Sequence, residues 1–297
     1  MKAAKDNYFV RFAALAYQLC QRALPLYWHP KSPHRYTVPQ LVACLLLMRR
    51  LRLSYRDVEQ LLWAMDQVRA VLGLSTVPDH TTLQRAFARL KACTWHLLIR
   101  FTADLLAGGG ELCVAADSTG FVCTQASLYY QTRSGRLYTA WRKGVYVVGC
   151  GSQAVLGAVS ARGPGSDASH VHTLRARGRR YALVSESGCR VQVFIGDAGF
   201  DGRSVREGDL VAVVARGGRV VGEARLGRQA LVESARLEGV YGQRWKVETV
   251  HSVMKRKFGE EIISRRGVLQ CREVLLLAVV YNLHRLWCCF VWQARVM

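Results

Sequence analysis

Two short apolar runs, far apart in the chain, each end on an aspartate: LCVAAD at 112–117 and RVQVFIGD at 190–197. Runs of this length read as buried strands. A carboxylate at the end of such a strand is costly to leave unpaired, and in an open α/β sheet ligands gather beyond the strand ends. Taken singly, each acid is as well explained as a turn former. YVVGCGSQAVLGAVSARG (146–163) adds two strands around a small-residue turn, and DLVAVVARGG (209–218) adds another. Strands followed by mixed strand and helix imply an α/β sheet covered by helices.

Residues 8–107 carry helical patterning instead. Pro39 stands at a first turn before QLVACLLLMRRL, Ser54 caps YRDVEQLLWAM, and Asp79 or Thr81 caps TTLQRAFARLKA, each by the usual start signals of a helix. The last two helices flank a polar turn, and the second turns Thr82, Gln84, Arg85 and Arg89 outward, as a helix-turn-helix would. GGGE at 108–111 is a hinge-like break. The expected organisation is a helical, DNA-binding domain over 1–107, with Arg85 a candidate contact, and an α/β domain over 108–297 closed by a helix at 271–290.

The net charge is +21, and 34 of the 42 basic residues are arginine. Arginine binds phosphate bidentately and keeps its charge everywhere, so the partner implied is a polyanion, most simply nucleic acid. The excess is not a tail: residues 1–110 carry a net +9 and residues 111–297 a net +12. The ten cysteines form no C-x2-C pair, and most sit in apolar runs, where free cysteine acts as a small core residue. No secretory signal opens the chain and no apolar run is long enough to span a bilayer. A cytoplasmic, nucleoid-associated protein without a membrane partner is expected.

YGQRWKVETVHSVMKRKF (241–258) places one acid, Glu248, among five basic side chains. Tyr241, Arg244, Glu248, His251 and Lys255 follow one another by threes and fours, so they share a helix face. Val247, Val250, Met254 and Phe258 make an adjacent apolar stripe. Arg244 and Glu248 alone would be an ordinary salt bridge worth little. Joined by Asp117 and Asp197, Glu248 completes a different set. Three carboxylates repel one another unless a cation holds them, and oxygen-only ligands suit Mg²⁺ or Mn²⁺. Two such ions per site can activate a water and stabilise a leaving oxygen. A basic protein with an acidic cage points to phosphodiester cutting.

The same residues resemble the DDE-class transposases of bacterial and archaeal insertion sequences. Tyr241-x2-Arg244-x3-Glu248-x6-Lys255 is similar to the Tyr–Arg–Glu–Lys signature of the families numbered four and five. AADSTGF resembles their first-aspartate strand, and IGDAGFDG their second, with Phe200 where tyrosine is common. WRKG at 141–144 is similar to their basic approach to the next strand, and STVPDHTTLQRAFARL resembles their N-terminal region. His251 replaces a usual aromatic, and Asp201 competes with Asp197 but is better placed as a cap for GRSVRE.

The resemblance implies an RNase H-like mixed sheet with flanking helices behind a helical N-terminal domain. It implies Asp117, Asp197 and Glu248 as catalytic metal ligands. Tyr241, Arg244, Lys255, Arg142 and Lys143 become DNA contacts. The implied chemistry is Mg²⁺-dependent cleavage of transposon ends, then attack of the freed 3′-hydroxyl on target DNA. Two ends cut in concert ask for a homodimer on double-stranded DNA. The rival readings are an RNase H-like structure-specific nuclease and a non-catalytic DNA-binding remnant of a mobile element.

Overall fold

The computed structural model describes residues 7–31, 33–123, 132–133, 135, 141–163, 165–186, 188–201, 211–213 and 222–296. Six helices come first: α1 (Tyr8–Ala23), α2 (Val38–Leu51), α3 (Tyr55–Ala64), α4 (Asp66–Val71), α5 (His80–Arg89) and α6 (Ala92–Ala107). Their starts follow from local side-chain chemistry. Thr37 and Gln40 form a reciprocal capping box at α2, with Pro39 in its first turn, and Ser54 and Asp57 do the same at α3. The Asp79 carboxylate accepts from the amides of Thr81 and Thr82 and starts α5. Between α3 and α5, where a polar turn was expected, the chain inserts α4, which buries Val68. The short DQVRAV segment has too few apolar positions to announce a helix.

The strands are β1 (Cys113–Cys123), β2 (Trp141–Gly149) and β3 (Val155–Arg162). Helix α7 (Val171–Arg179) follows, then β4 (Leu183–Val184), β5 (Arg190–Val191), β6 (Val193–Gly196) and β7 (Val211–Val213). Helix α8 (Glu223–Leu237), helix α9 (Trp245–Phe258), β8 (Glu261–Ile262) and helix α10 (Gly267–Val296) end the chain. The rest of the expected 209–218 strand and the GRSVRE cap lie outside the described residues.

The main sheet runs β3-β2-β1-β6-β7. β1, β2 and β3 pair antiparallel, while β6 and β7 join in parallel. This is the order and sense of an RNase H-like sheet, with helices on both faces. Alternation along each strand sorts the side chains. Ala115, Tyr146, Val148, Ala158 and Ile195 join one core with Val247, Val250, Met254 and Phe258 of α9. Val114, Ala116, Val145, Val147, Leu156 and Phe194 join the other with Val171 and Leu174 of α7.

The first core does not stop at the expected division near residue 107. It also contains Phe12, Leu45, Leu62, Phe87 and Trp95 of the N-terminal helices and Val274 to Val280 of α10. Arg49 of α2 adds a buried tie: it reaches Glu273 of α10 at 3.2 Å and donates to the Gly259 carbonyl at 3.0 Å. The change near residue 107 is one of secondary structure, with a continuous interior.

Within GGGE, Glu111 is buried, and its carboxylate accepts from the amides of Gly151 at 2.8 Å and Ser152 at 2.9 Å. It thereby fixes the turn between β2 and β3. Helix α10 is longer at both ends than the expected 271–290, and no helix among the described residues is long and apolar enough to cross a membrane.

Candidate active site

Asp117 does not end its strand. β1 continues to Cys123, and Ser118 to Val122 stay paired with Trp141 to Val145 of β2. The apolar run ends at Asp117, but the antiparallel partner carries the strand further. The edge on the β6 side does change at this level. There β1 pairs with β6 through Cys113↔Val193, Val114↔Phe194 and Ala115↔Ile195. It pairs again only at Val122↔Glu261 and Cys123↔Ile262, with β8. Between these two pairings the sheet opens. Asp117 lies on β1 two residues past the last β1–β6 pair, and Asp197 directly follows β6, two residues past the same pair, near enough for its charge to act on Asp117.

Asp197 immediately follows β6 and caps the short 3₁₀ turn Ala198–Phe200, its carboxylate accepting from the Gly199 amide at 2.9 Å. Glu248 comes from α9. The apolar stripe of that helix is fully buried against the sheet, which fixes its rotation and leaves Glu248 half exposed, with 51% of its side chain open. The preceding 3₁₀ turn, Tyr241–Arg244, is pinned to the end of β6, because the Tyr241 hydroxyl donates to the Gly196 carbonyl at 3.1 Å. Arg244 then meets Glu248 at 2.6 Å.

Electrostatics link the three acids. Burial raises the carboxyl of Asp117 to about 6, and the charges of Asp197 and Glu248 push it the same way. The amide of Ser118, donating at 2.8 Å, and the charge of Arg244 oppose them. Among the described residues, no three His, Cys, Asp or Glu side chains are already drawn together as a metal cage. Glu248 is held by Arg244 instead. The donor set still fits a hard divalent cation: carboxylate oxygens, one of them raised by burial and further by its acidic neighbours, at an opening in the sheet.

The expected DNA contacts divide. Lys255 is partly exposed and lies 4.0 Å from Glu260. Arg142 is half-buried and donates through Nε to Gln270 at 2.8 Å. Arg85 is exposed on α5, in a cavity of about 290 Å³ that Trp28, Arg35 and Arg89 also line. Lys143 is 7% exposed, and its ammonium reaches Asp167 at 2.7 Å and the Gly165 carbonyl at 2.5 Å. The charge expected to meet DNA is therefore neutralised inside the protein. Strand alternation accounts for this, since Lys143 shares a face with the buried Val145 and Val147.

Near the site Asp167 carries no signal in the sequence, and His251 carries none beyond its place on the helix face. Asp167, just before α7, accepts from the Ser118 hydroxyl at 3.0 Å while holding Lys143. It also lies close to Gly199, where an added Cβ would be 3.3 Å from its Oδ2 and 2.9 Å from Oδ1 of Asp197. Lys143 and Asp167 thus hold the Ser118 side chain next to Asp117 and lie close to Gly199, two residues past Asp197. His251, read as a minor replacement, is buried with Nδ1 3.9 Å from Asp117 and its ring 5.5 Å from that of Tyr146. Burial, helped by the charge of Lys255, pushes its imidazole down to about 4, so it is neutral at pH 7. Its spacing of three from Glu248 put it on the shared helix face; only its neighbour on β1 was beyond the reach of the sequence.

The sequence model of a family described as "Transposase DDE domain" matches residues 108–283, more than half of the chain. No curated protein matches.

Proposed function

Because the chain belongs to the transposase DDE domain family, we propose that it binds the ends of an insertion sequence and catalyses their cleavage and transfer to target DNA. The observation that carries this reading is the opening in the sheet. Asp117 lies on β1 at that opening, Asp197 directly follows β6, and the charges of Asp197 and of Glu248 on α9 both act on Asp117, which supports the reading.

Asp117, Asp197 and Glu248 would hold Mg²⁺ or Mn²⁺, two ions per site. When bound, these ions would lower the pKa of the attacking water or 3′-hydroxyl and screen the charge building on the leaving oxygen. The protein's own groups do the rest. Glu248 leaves Arg244 to join the aspartates, and Arg244 is then free to take a DNA phosphate oxygen. Tyr241 fixes the start of α9 against β6 and presents its ring beside the strand to be cut. Lys255, Arg142 and Arg85 add cationic contacts along the duplex, while Lys143 acts from behind through Asp167. Two ends processed together require two copies of the chain.

Purified protein, Mg²⁺ and DNA carrying the element's own termini test the reading. Wild type should nick the ends and, given plasmid, join them to it. Asp117→Asn, Asp197→Asn and Glu248→Gln should each abolish cutting and still bind DNA. Metal-dependent cutting that survives in any of the three removes that residue from the site.

A further inference from the structure

A cavity of about 530 Å³ lies between α6, β3 and α7, lined in part by His96, Arg100, Arg177, Arg180 and Tyr181. The sequence marks the place with RARGRR at 175–180. Cations near a helix C-terminus are favoured by the helix dipole, which accounts for some of this charge. It does not account for Arg177. That side chain lies half-buried across β3, and a Cβ at Gly157 would come within 2.6 Å of its Cδ, so glycine is what admits it. Its guanidinium donates to the Ala158 carbonyl and faces Nε2 of His96 at 3.4 Å. Both of those partners are neutral at pH 7, since burial and Arg177 together hold His96 down at about 4.

No acid is among the described residues that line the cavity. Asp104 stands nearby, shared between the Tyr181 hydroxyl at 2.8 Å and Arg180 Nε at 3.8 Å. Three guanidiniums thus surround a concave space, with one carboxylate to balance them. A half-buried cation held only by neutral groups is costly, and an anion entering the cavity would offset that cost. Guanidinium forks match the oxygens of a phosphate.

We propose that this cavity binds backbone phosphates of DNA, with Arg177 and Arg180 as the principal donors and Arg100 at the rim. Ala158 pairs with Tyr146, which pairs with Asp117. The anchor of Arg177 is therefore two strands, about 10 Å, from the Asp117 strand. α7 packs on the opposite face of the sheet from α9. The phosphates held here belong to a different stretch of DNA from the one being cut. Naming DNA as their source rests on the transposase reading; the preference for phosphate rests on the cavity.

The test is the salt dependence of DNA binding, from ~50 to ~200 mM salt, for wild type and the double variant R100A/R180A, both exposed positions. Each phosphate contact contributes about 0.9 to the slope of log Kd on log salt, so losing two contacts should flatten it by about 2. Wild type should then weaken roughly ten-fold more than the variant across that range. Arg177→Gln, which loses one contact, should flatten the slope by about 1, a roughly three- to four-fold smaller weakening than wild type over the same range, and circular dichroism melting verifies that each variant is folded. Equal slopes in wild type and the folded double variant overturn the proposal. If pyrophosphate raises the melting temperature of wild type only, and the DNA slopes are equal, the cavity takes a small phosphate ligand and DNA is the wrong source. Wild type that binds no DNA at all refutes the transposase reading and the DNA assignment together.

Discussion

Asp117→Asn should make the metal-free protein more stable, not less, above neutral pH. The carboxyl is raised from 3.8 to about 6, first by burial and then by Asp197 and Glu248. The folded state therefore holds the proton more tightly than the unfolded chain does. This contribution is complete below about pH 4 and is lost as pH rises through about 6. At 1.36 kcal/mol per pKa unit, the ionised carboxylate costs the folded state about 3 kcal/mol above pH 7. Asparagine keeps the oxygen that accepts from the Ser118 amide and drops the charge. Urea unfolding in EDTA should show the variant more stable than wild type by up to about 3 kcal/mol at pH 8 and nearly equal to it at pH 4. Added Mg²⁺ should stabilise wild type more than the variant. A difference that does not change with pH, or a variant less stable at pH 8, would refute the raised carboxyl of Asp117.

Lys143→Met should cost about 3 kcal/mol or less by leaving the partly buried Asp167 without its cation. Urea unfolding should also show much of the loss recovered in K143M/D167N. Arg244→Ala removes a charge that lowers Asp117, so the acid limb of the pH–rate profile should move to higher pH; a limb that stays put would place Arg244 outside the site's electrostatics. Arg49→Met leaves Glu273 without its cation and should lower stability by about 3–5 kcal/mol in thermal or urea unfolding, although the residue lies in the N-terminal helices and Glu273 in α10.

What the sequence made legible was local. The first-turn Pro39 and the caps at Ser54 and Asp79 depend on residues within three positions of the helix starts they serve. The apolar stripe of α9 was legible because helix periodicity forces it. The acids after the apolar runs were legible because such residues are costly there, and the resemblance joined them to Glu248. The illegible parts depend on tertiary pairing. The outer half of β1, STGFVC, lacks clean alternation and is strand only because β2 lies beside it. Asp167 sits in a polar connection and gains meaning only from Lys143 and Ser118. α4 has six residues, too few to show a period.

If the proposed function holds, the interior shared by α2, α6, α10 and the sheet, with Arg49 clasped to Glu273, limits how far a DNA end could travel between recognition and cutting. Helices rooted in the same interior as the carboxylates cannot swivel on a linker. An end gripped by α5 would be presented to Asp117 and Asp197 at one fixed distance, like a jig holding stock against a blade. Exchanging the first hundred residues for those of a relative should therefore disturb where the cut falls as well as which end is chosen.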